Sequence, residues 1–230
     1  MKNHLMKRTR LMTVAVGIYV LCTFPSTAIP PDTLGMDQQI LQVQIIEKEA
    51  RIQEGDIIFQ TSKSNQSKAI QLATGSRYSH LGIIFKNSGK YFVYEAVQPV
   101  KFTPLEDWIN RGENGHYVIK RLLNSEQHLT DEALRNMRRI GMQFMGKPYD
   151  LYFEWSDERI YCSELVWKIY KQALDIEIGS LEALASFDLS HEVVRTKLHE
   201  RYGDQIPMQE KVISPAAMFH SDQLVLVDEQ

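Results

Sequence analysis

Cys162 stands in Tyr161-Cys162-Ser163-Glu164-Leu165, just ahead of an apolar helical pattern. A thiol in that place has four possible roles: core residue, disulfide partner, metal ligand or nucleophile. A helix starting at the cysteine favours the nucleophile, because its open N–H groups and dipole stabilise a thiolate. A nucleophile needs a base. Beyond residue 28 the chain has six histidines: His80, His116, His128, His191, His199 and His220. Five fall in polar loops or on helix faces expected to be solvated. His80 instead opens an apolar strand pattern, and alternation groups it with Gly82 and Ile84. Gly82 is expected to leave room on that face for the thiol-bearing helix. The imidazole then needs an orienting group. Glu95 interrupts the apolar-aromatic run Tyr91 to Ala96, in the strand expected to pair with that of His80. A carboxylate set into such a strand needs a partner. Plainer readings stand beside these: an inert buried thiol, a structural histidine and a solvent-facing edge carboxylate.

Metal chemistry finds little support in the spacing. His191 and His199 are eight residues apart and share a helix face poorly, and a zinc site would need more sulfur or a tight histidine pair. The few glycines near Gly75 and Gly82 do not make a phosphate-binding loop. No metal or other cofactor is expected.

The elements that must position these residues alternate between the two periodicities. Asp37 to about Ile52 predicts a helix, and Glu54-Gly55-Asp56 a turn. Ile57 to Phe59 predicts a strand, Thr61 to Gln66 a loop, and Lys68 to Ala73 a short helix closed by Gly75. Ser79 to Phe85 and Tyr91 to Ala96 predict strands joined by the turn-rich Lys86-Asn87-Ser88-Gly89-Lys90, hence an antiparallel hairpin. Pro99 and Pro104 mark irregular chain, followed by a short helix from Leu105 to Ile109, stopped at Gly112. Tyr117 to Leu122 predicts another strand. Thr130 caps a helix from Asp131 to about Met145. The helix after Cys162 puts Val166, Ile169 and Ala173 on the cysteine's side. Ser190 to Tyr202 predicts a last long helix, and Val212-Ile213-Ser214 and Leu224 to Val227 strand-like pieces around Pro215.

The N-terminus has its own pattern. Lys2, Lys7, Arg8 and Arg10 precede the apolar run Leu11 to Phe24, then Pro25 and the small residues Ser26-Thr27-Ala28. This is the layout of a signal peptide cleaved after Ala28. It predicts residues 1–28 as a signal segment, residues 29–230 as a single domain, and an exported protein, periplasmic or secreted. An uncleaved N-terminal anchor is the alternative. Cleavage removes four of the 26 Lys+Arg and none of the 29 Asp+Glu, leaving a net charge near −7. That argues against nucleic acid as a partner. It also removes Cys22, the other of two cysteines, so Cys162 has no intrachain disulfide partner.

Several segments, in order, resemble the permuted branch of the NlpC-like papain-fold cysteine hydrolases, close to the YiiX/YebB-like bacterial proteins. They are EGDIIFQ (54–60), YSHLGIIF (78–85), YFVYEA (91–96), GKPYDLYF (146–153), YCSELVW (161–167) and ISPAAM (213–218). The resemblance implies an α+β, circularly permuted papain-like fold, with a curved antiparallel sheet packed against helices. It implies His80 as general base, Cys162 as nucleophile and Glu95 as the orienting residue, matching the choice made from the residues. Gln60 and Tyr149 are candidate side-chain donors to the oxyanion. Residues 175–211 carry no family motif and are expected to shape or cover the substrate groove.

The implied activity is amide hydrolysis through a Cys-His-Glu triad, as in a peptidase or amidase on cell-wall peptides. Lipid acyl hydrolysis or acyl transfer with the same triad is an alternative, and a non-catalytic binding protein on this scaffold is another. The expected partner is a peptide or a small acyl-bearing substrate, met near the cell wall or a membrane surface.

Overall fold

The computed structural model describes residues 38, 40, 51–64 and 66–230. The expected signal segment and nearly all of the expected helix Asp37 to Ile52 lie outside the described residues. Residues from 51 onward belong to one compact unit. Among the described residues no helix is long and apolar enough to cross a membrane.

The core is a six-stranded antiparallel sheet. Its strands are β1 (Ile57–Gln60), β2 (His80–Asn87), β3 (Lys90–Glu95), β4 (Lys101–Pro104), β5 (Val118–Leu122) and, late in the chain, β8 (Leu224–Glu229). They lie in the order β4-β3-β2-β1-β5-β8. The β2–β3 hairpin turns at Ser88 and Gly89, with φ of 48° and 81°, the two positive values a type I′ turn requires. This fixes the register: Asn87 pairs with Lys90 and Ile83 with Tyr94.

Strand alternation divides the core between two faces. Ile57, Phe59, Leu81, Ile83 and Phe85 share one cluster with helix α4 (Asp131–Gly141) and helix α5 (Cys162–Leu174). Ile58, Ile84 and Val93 face the other way, against Trp108 of helix α2 (Leu105–Arg111). Helix α1 (Ser67–Thr74) follows β1 and ends on Gly75 at φ 61°. Between α5 and β8 come the short pair β6 (Glu182–Ala183) and β7 (Lys211–Val212), helix α6 (Glu192–Tyr202) and helix α7 (Pro215–Phe219). Ala69 of α1 packs with Leu184, Val194 and Leu198 in a small core of its own. The α+β class and the sheet-against-helix packing are those expected.

Four local expectations need correction. The chain after Pro99 is not irregular, because Lys101–Pro104 forms β4 and pairs with β3. β4 is an edge strand, where a proline at the end removes no needed donor. The helix from Asp131 stops at Gly141, short of Met145. The Gly141 carbonyl accepts from the Tyr94 hydroxyl at 2.5 Å, and Gln143 N and Phe144 N fall back to three-residue turns. Only Lys211 and Val212 pair as a strand before Pro215, because the Ser163 hydroxyl instead takes the Ile213 carbonyl at 2.7 Å.

Gly82 does not make room for the helix of Cys162. α5 lies on the face of Leu81 and Ile83, whereas a Cβ on Gly82 would stand 2.4 Å from Val93 Cγ1 and 2.7 Å from the Tyr94 carbonyl oxygen. The glycine lets β3 approach β2 on the Glu95 side. Gly82→Ala is therefore expected to destabilise the fold by about 1–3 kcal/mol through overpacking against backbone. An unchanged urea midpoint would refute that close approach.

Candidate active site

Three pieces of chain converge at one end of the sheet. His80 is the first residue of β2 and pairs with Gln60 of β1. At a strand's end its ring reaches past the sheet toward a group seated on the opposite face. Glu95 ends β3 and is fully buried. Cys162 opens α5 and is 2% exposed. The helix start is fixed by its own side chains: Tyr161 N donates to Glu164 Oε2 at 3.3 Å, and Lys168 Nζ lies 2.8 Å from Glu164 Oε1. Burial raises the Glu164 carboxyl to about 8, against the pull of Lys168. The N–H groups of the first helical turn, at Cys162 and Ser163, have no partner within the helix.

The His80 ring lies between Glu95 and Cys162. Its Nε2 is 2.6 Å from Glu95 Oε2, and the ring interacts electrostatically with the Cys162 thiol. With Nε2 occupied by the carboxylate, Nδ1 is the nitrogen left for the sulfur. Burial pulls the His80 pKa down. The hydrogen bonds and charges of Cys162 and Glu95 outweigh it and hold the ring at about 9. Burial pushes the Glu95 carboxyl up, but His80 and Arg111 outweigh it and hold the group at about 2.

Glu95 is held by more than the histidine. Thr103 Oγ1 donates to Oε1 at 2.6 Å, Trp108 Nε1 to Oε2 at 2.9 Å, and Arg111 Nη2 to Oε2 at 2.5 Å. The Trp108 ring also stacks on His80, with centroids 5.9 Å apart and planes at 24°. Glu95 sits one strand in from the sheet edge and is buried, unlike a solvent-facing edge residue. Sequence reasoning missed Thr103, Trp108 and Arg111. The one local signal was Trp108, a large aromatic in the otherwise polar helix that follows Glu95.

The two candidate oxyanion donors lie in different places. Tyr149 is half-buried, lines the cavity that contains Cys162, and its hydroxyl lies 3.4 Å from Gln66 Nε2. Burial raises its pKa well above the ordinary value, so the hydroxyl keeps its proton to donate. Gln60 is buried behind His80, and its Oε1 has no hydrogen-bond partner. It is packed against Gly112, where an added Cβ would come within 2.2 Å of that oxygen. Gln60 lines neither of the two cavities that meet at the site.

One cavity contains Cys162 and is walled by α1, α6 and the segment from Leu184 to Leu189. The other contains His80, with Ser62, Ser64, Gln98 and Arg111. Gln66, Ile70 and Tyr149 are common to both. The expectation that residues 175–211 shape a groove corresponds to Leu184, Phe187, Val194 and Leu198 in the first wall.

Residues 51–228 match the model of the permuted papain-like amidase enzymes, the YaeF/YiiX or C92 family. The chain belongs to this family. It is 50% identical over 175 residues to "Uncharacterized protein YiiX" of Escherichia coli (strain K12), covering 76% of this chain and 85% of that protein. It also resembles a solved structure, described as the crystal structure of metalloprotein yiiX from Escherichia coli O157:H7. The TM-score is 0.74 at 49% identity, covering 78% of this chain and 98% of that one. The permuted papain-like expectation is thus met, and membership in this amidase family supports a cysteine hydrolase in general terms.

That relative is described as a metalloprotein. Among the described residues, no group of three His, Cys, Asp or Glu side chains is placed to hold an ion. Glu95, the carboxylate nearest His80, already has both oxygens occupied by Thr103, His80, Trp108 and Arg111. The residues present do not fit a metal site.

Proposed function

We propose that this chain is a cysteine amidase in which Cys162 attacks the amide carbonyl, His80 carries the proton and Glu95 orients the ring. The observation that carries the reading is the His80 ring, 2.6 Å from Glu95 Oε2 and in electrostatic contact with the Cys162 thiol. His80, held at about 9, takes the Cys162 proton and becomes an imidazolium. The thiolate adds to the carbonyl. The oxyanion meets the open N–H groups at the start of α5 and the Tyr149 hydroxyl. His80 gives its proton to the leaving nitrogen, and water, deprotonated by His80, then resolves the thioester.

Export is part of the same proposal and is supported by the basic, apolar and small-residue order of the first 28 positions.

Alkylation tests the pair directly. Wild-type Cys162 is expected to react with iodoacetamide nearly as fast at pH 6 as at pH 8. His80→Ala is expected to slow the reaction at pH 6 by about 10²-fold, since a thiol without a partner is barely ionised there. Equal rates in the two proteins at pH 6 would remove the ion pair, and with it the assigned base.

A further inference from the structure

Gln66 and Tyr149 line both cavities, so they stand where the side of Cys162 meets the side of His80. The Tyr149 hydroxyl has one proton to give and can also accept. Which way that proton points decides whether the hydroxyl can serve an oxyanion. The Gln66 amide carries both an acceptor and donors, so by itself it could hold the hydroxyl in either sense. Arg201, in the last turn of α6, removes the choice. Its Nη2 donates to Gln66 Oε1 at 2.8 Å, and a guanidinium has donors only. The amide is therefore turned with its NH₂ toward Tyr149, Nε2 lying 3.4 Å from the hydroxyl oxygen. Tyr149 accepts there, which leaves its own proton for another acceptor. The hydroxyl is also in electrostatic contact with the Cys162 thiol.

We propose that Arg201 and Gln66 are positioning residues that aim the Tyr149 proton at the carbonyl oxygen of the group attacked by Cys162. The proposal rests on the cysteine amidase reading and adds to it the groups that set the direction of one oxyanion donor. Arg201 is itself fixed, its guanidinium 5.1 Å from the centroid of the Phe153 ring in the same cavity wall. Helix α6 thus does more than enclose space. A segment exchanged for it keeps the rate only if it keeps a donor at this place.

As the sulfur adds, the S–C bond forms and the carbonyl π pair moves onto oxygen, which accepts the Tyr149 hydrogen bond. No proton leaves Tyr149. The pair returns to carbon as the bond to the leaving group breaks.

Two probes on the intact protein separate aiming from structure. p-Nitrophenyl acetate acylates the thiol through a tetrahedral oxyanion, whereas iodoacetamide alkylates it by displacement, with no oxyanion. Gln66→Glu keeps an acceptor for Arg201 but offers Tyr149 only acceptors, so the hydroxyl proton turns to the carboxylate. We expect Gln66→Glu and Tyr149→Phe each to slow nitrophenolate release by roughly 10²-fold, the usual effect of losing one oxyanion donor. The double variant should lose no more than either alone, because both changes remove the same proton. Alkylation at pH 8 should hold near the wild-type rate in all three. Arg201→Met should slow release by a smaller factor, since the amide can then turn either way. Arg201→Lys should restore most of that loss, lysine too being only a donor. Wild-type release in Gln66→Glu or Arg201→Met overturns the proposal. So do losses that multiply in the double variant, a parallel loss of alkylation, which marks a structural role, and a wild type that releases no nitrophenolate. The amidase reading is judged separately, by the His80 dependence of Cys162 alkylation.

Discussion

Cys162→Ala is expected to lower amide hydrolysis by at least about 10⁴-fold while leaving the protein folded. The loss is large because every covalent step passes through Sγ, and what remains is the modest rate from bound water and the oxyanion donors. The fold survives because alanine keeps the helical start and removes one small buried atom. His80→Ala is expected to cost a similar factor, and the double variant hardly more than either alone, because the two residues act as one unit. The measurement is kcat for a small amide substrate together with a calorimetric Tm for each variant. A Cys162→Ala protein that keeps a tenth of the wild-type rate would move the chemistry elsewhere.

Glu95→Gln is expected to damage stability and activity together. The substitution keeps the shape but removes the charge that faces His80 and Arg111. Breaking a buried pair by changing one partner costs about 3 kcal/mol, at the lower end of the usual range because Arg111 is 41% exposed. Trp108 and Arg111 donate to the same oxygen that faces His80, so the amide carbonyl keeps that place, the NH₂ turns to the Thr103 hydroxyl, and His80 is left with a neutral partner. Loss of the charge that stabilises the imidazolium is expected to lower kcat by roughly 10²-fold.

The pH dependence has a definite sign. Glu95 is held at about 2, below its ordinary 4.5. Its contribution is therefore complete above pH 4.5 and fades as pH falls toward 2. Wild type and Glu95→Gln should differ most near neutral pH and converge in acid. His80 is raised from 6.5 to about 9, so its contribution is complete below 6.5 and is lost as pH rises through 9. The two shifts describe one ion pair and are not additive. Urea midpoints from pH 2 to 7 read the acid limb, and a constant gap between the two proteins would contradict the role given to the carboxylate.

The residues of the candidate site were legible in the sequence because local rules bring them together. Asn87 to Lys90 specify a tight hairpin, which brings the strand of Glu95 beside that of His80. The apolar period after Tyr161 starts a helix at Cys162. What surrounds them was not legible. Thr103, Trp108 and Arg111 reach Glu95 from an edge strand and helix that follow Pro99, where proline reads as irregular chain. Gly82 was placed on the right strand with the wrong neighbour, since alternation says which face a residue takes but not which element covers it. Leu184, Phe187, Val194 and Leu198 lie in short stretches without a clear period, and only their packing on α1 shows that they form a wall.

That wall comes from a different stretch of chain than the reacting groups. Cys162, His80 and Glu95 are fixed by β2, β3 and the start of α5, whereas much of the cavity's outer side comes from residues 184–201. On the proposed reading, exchanging this stretch would alter which molecules are accepted without touching Cys162, His80 or Glu95. Selectivity in this architecture is a graftable part, and a single catalytic frame could serve relatives that divide different compounds among themselves.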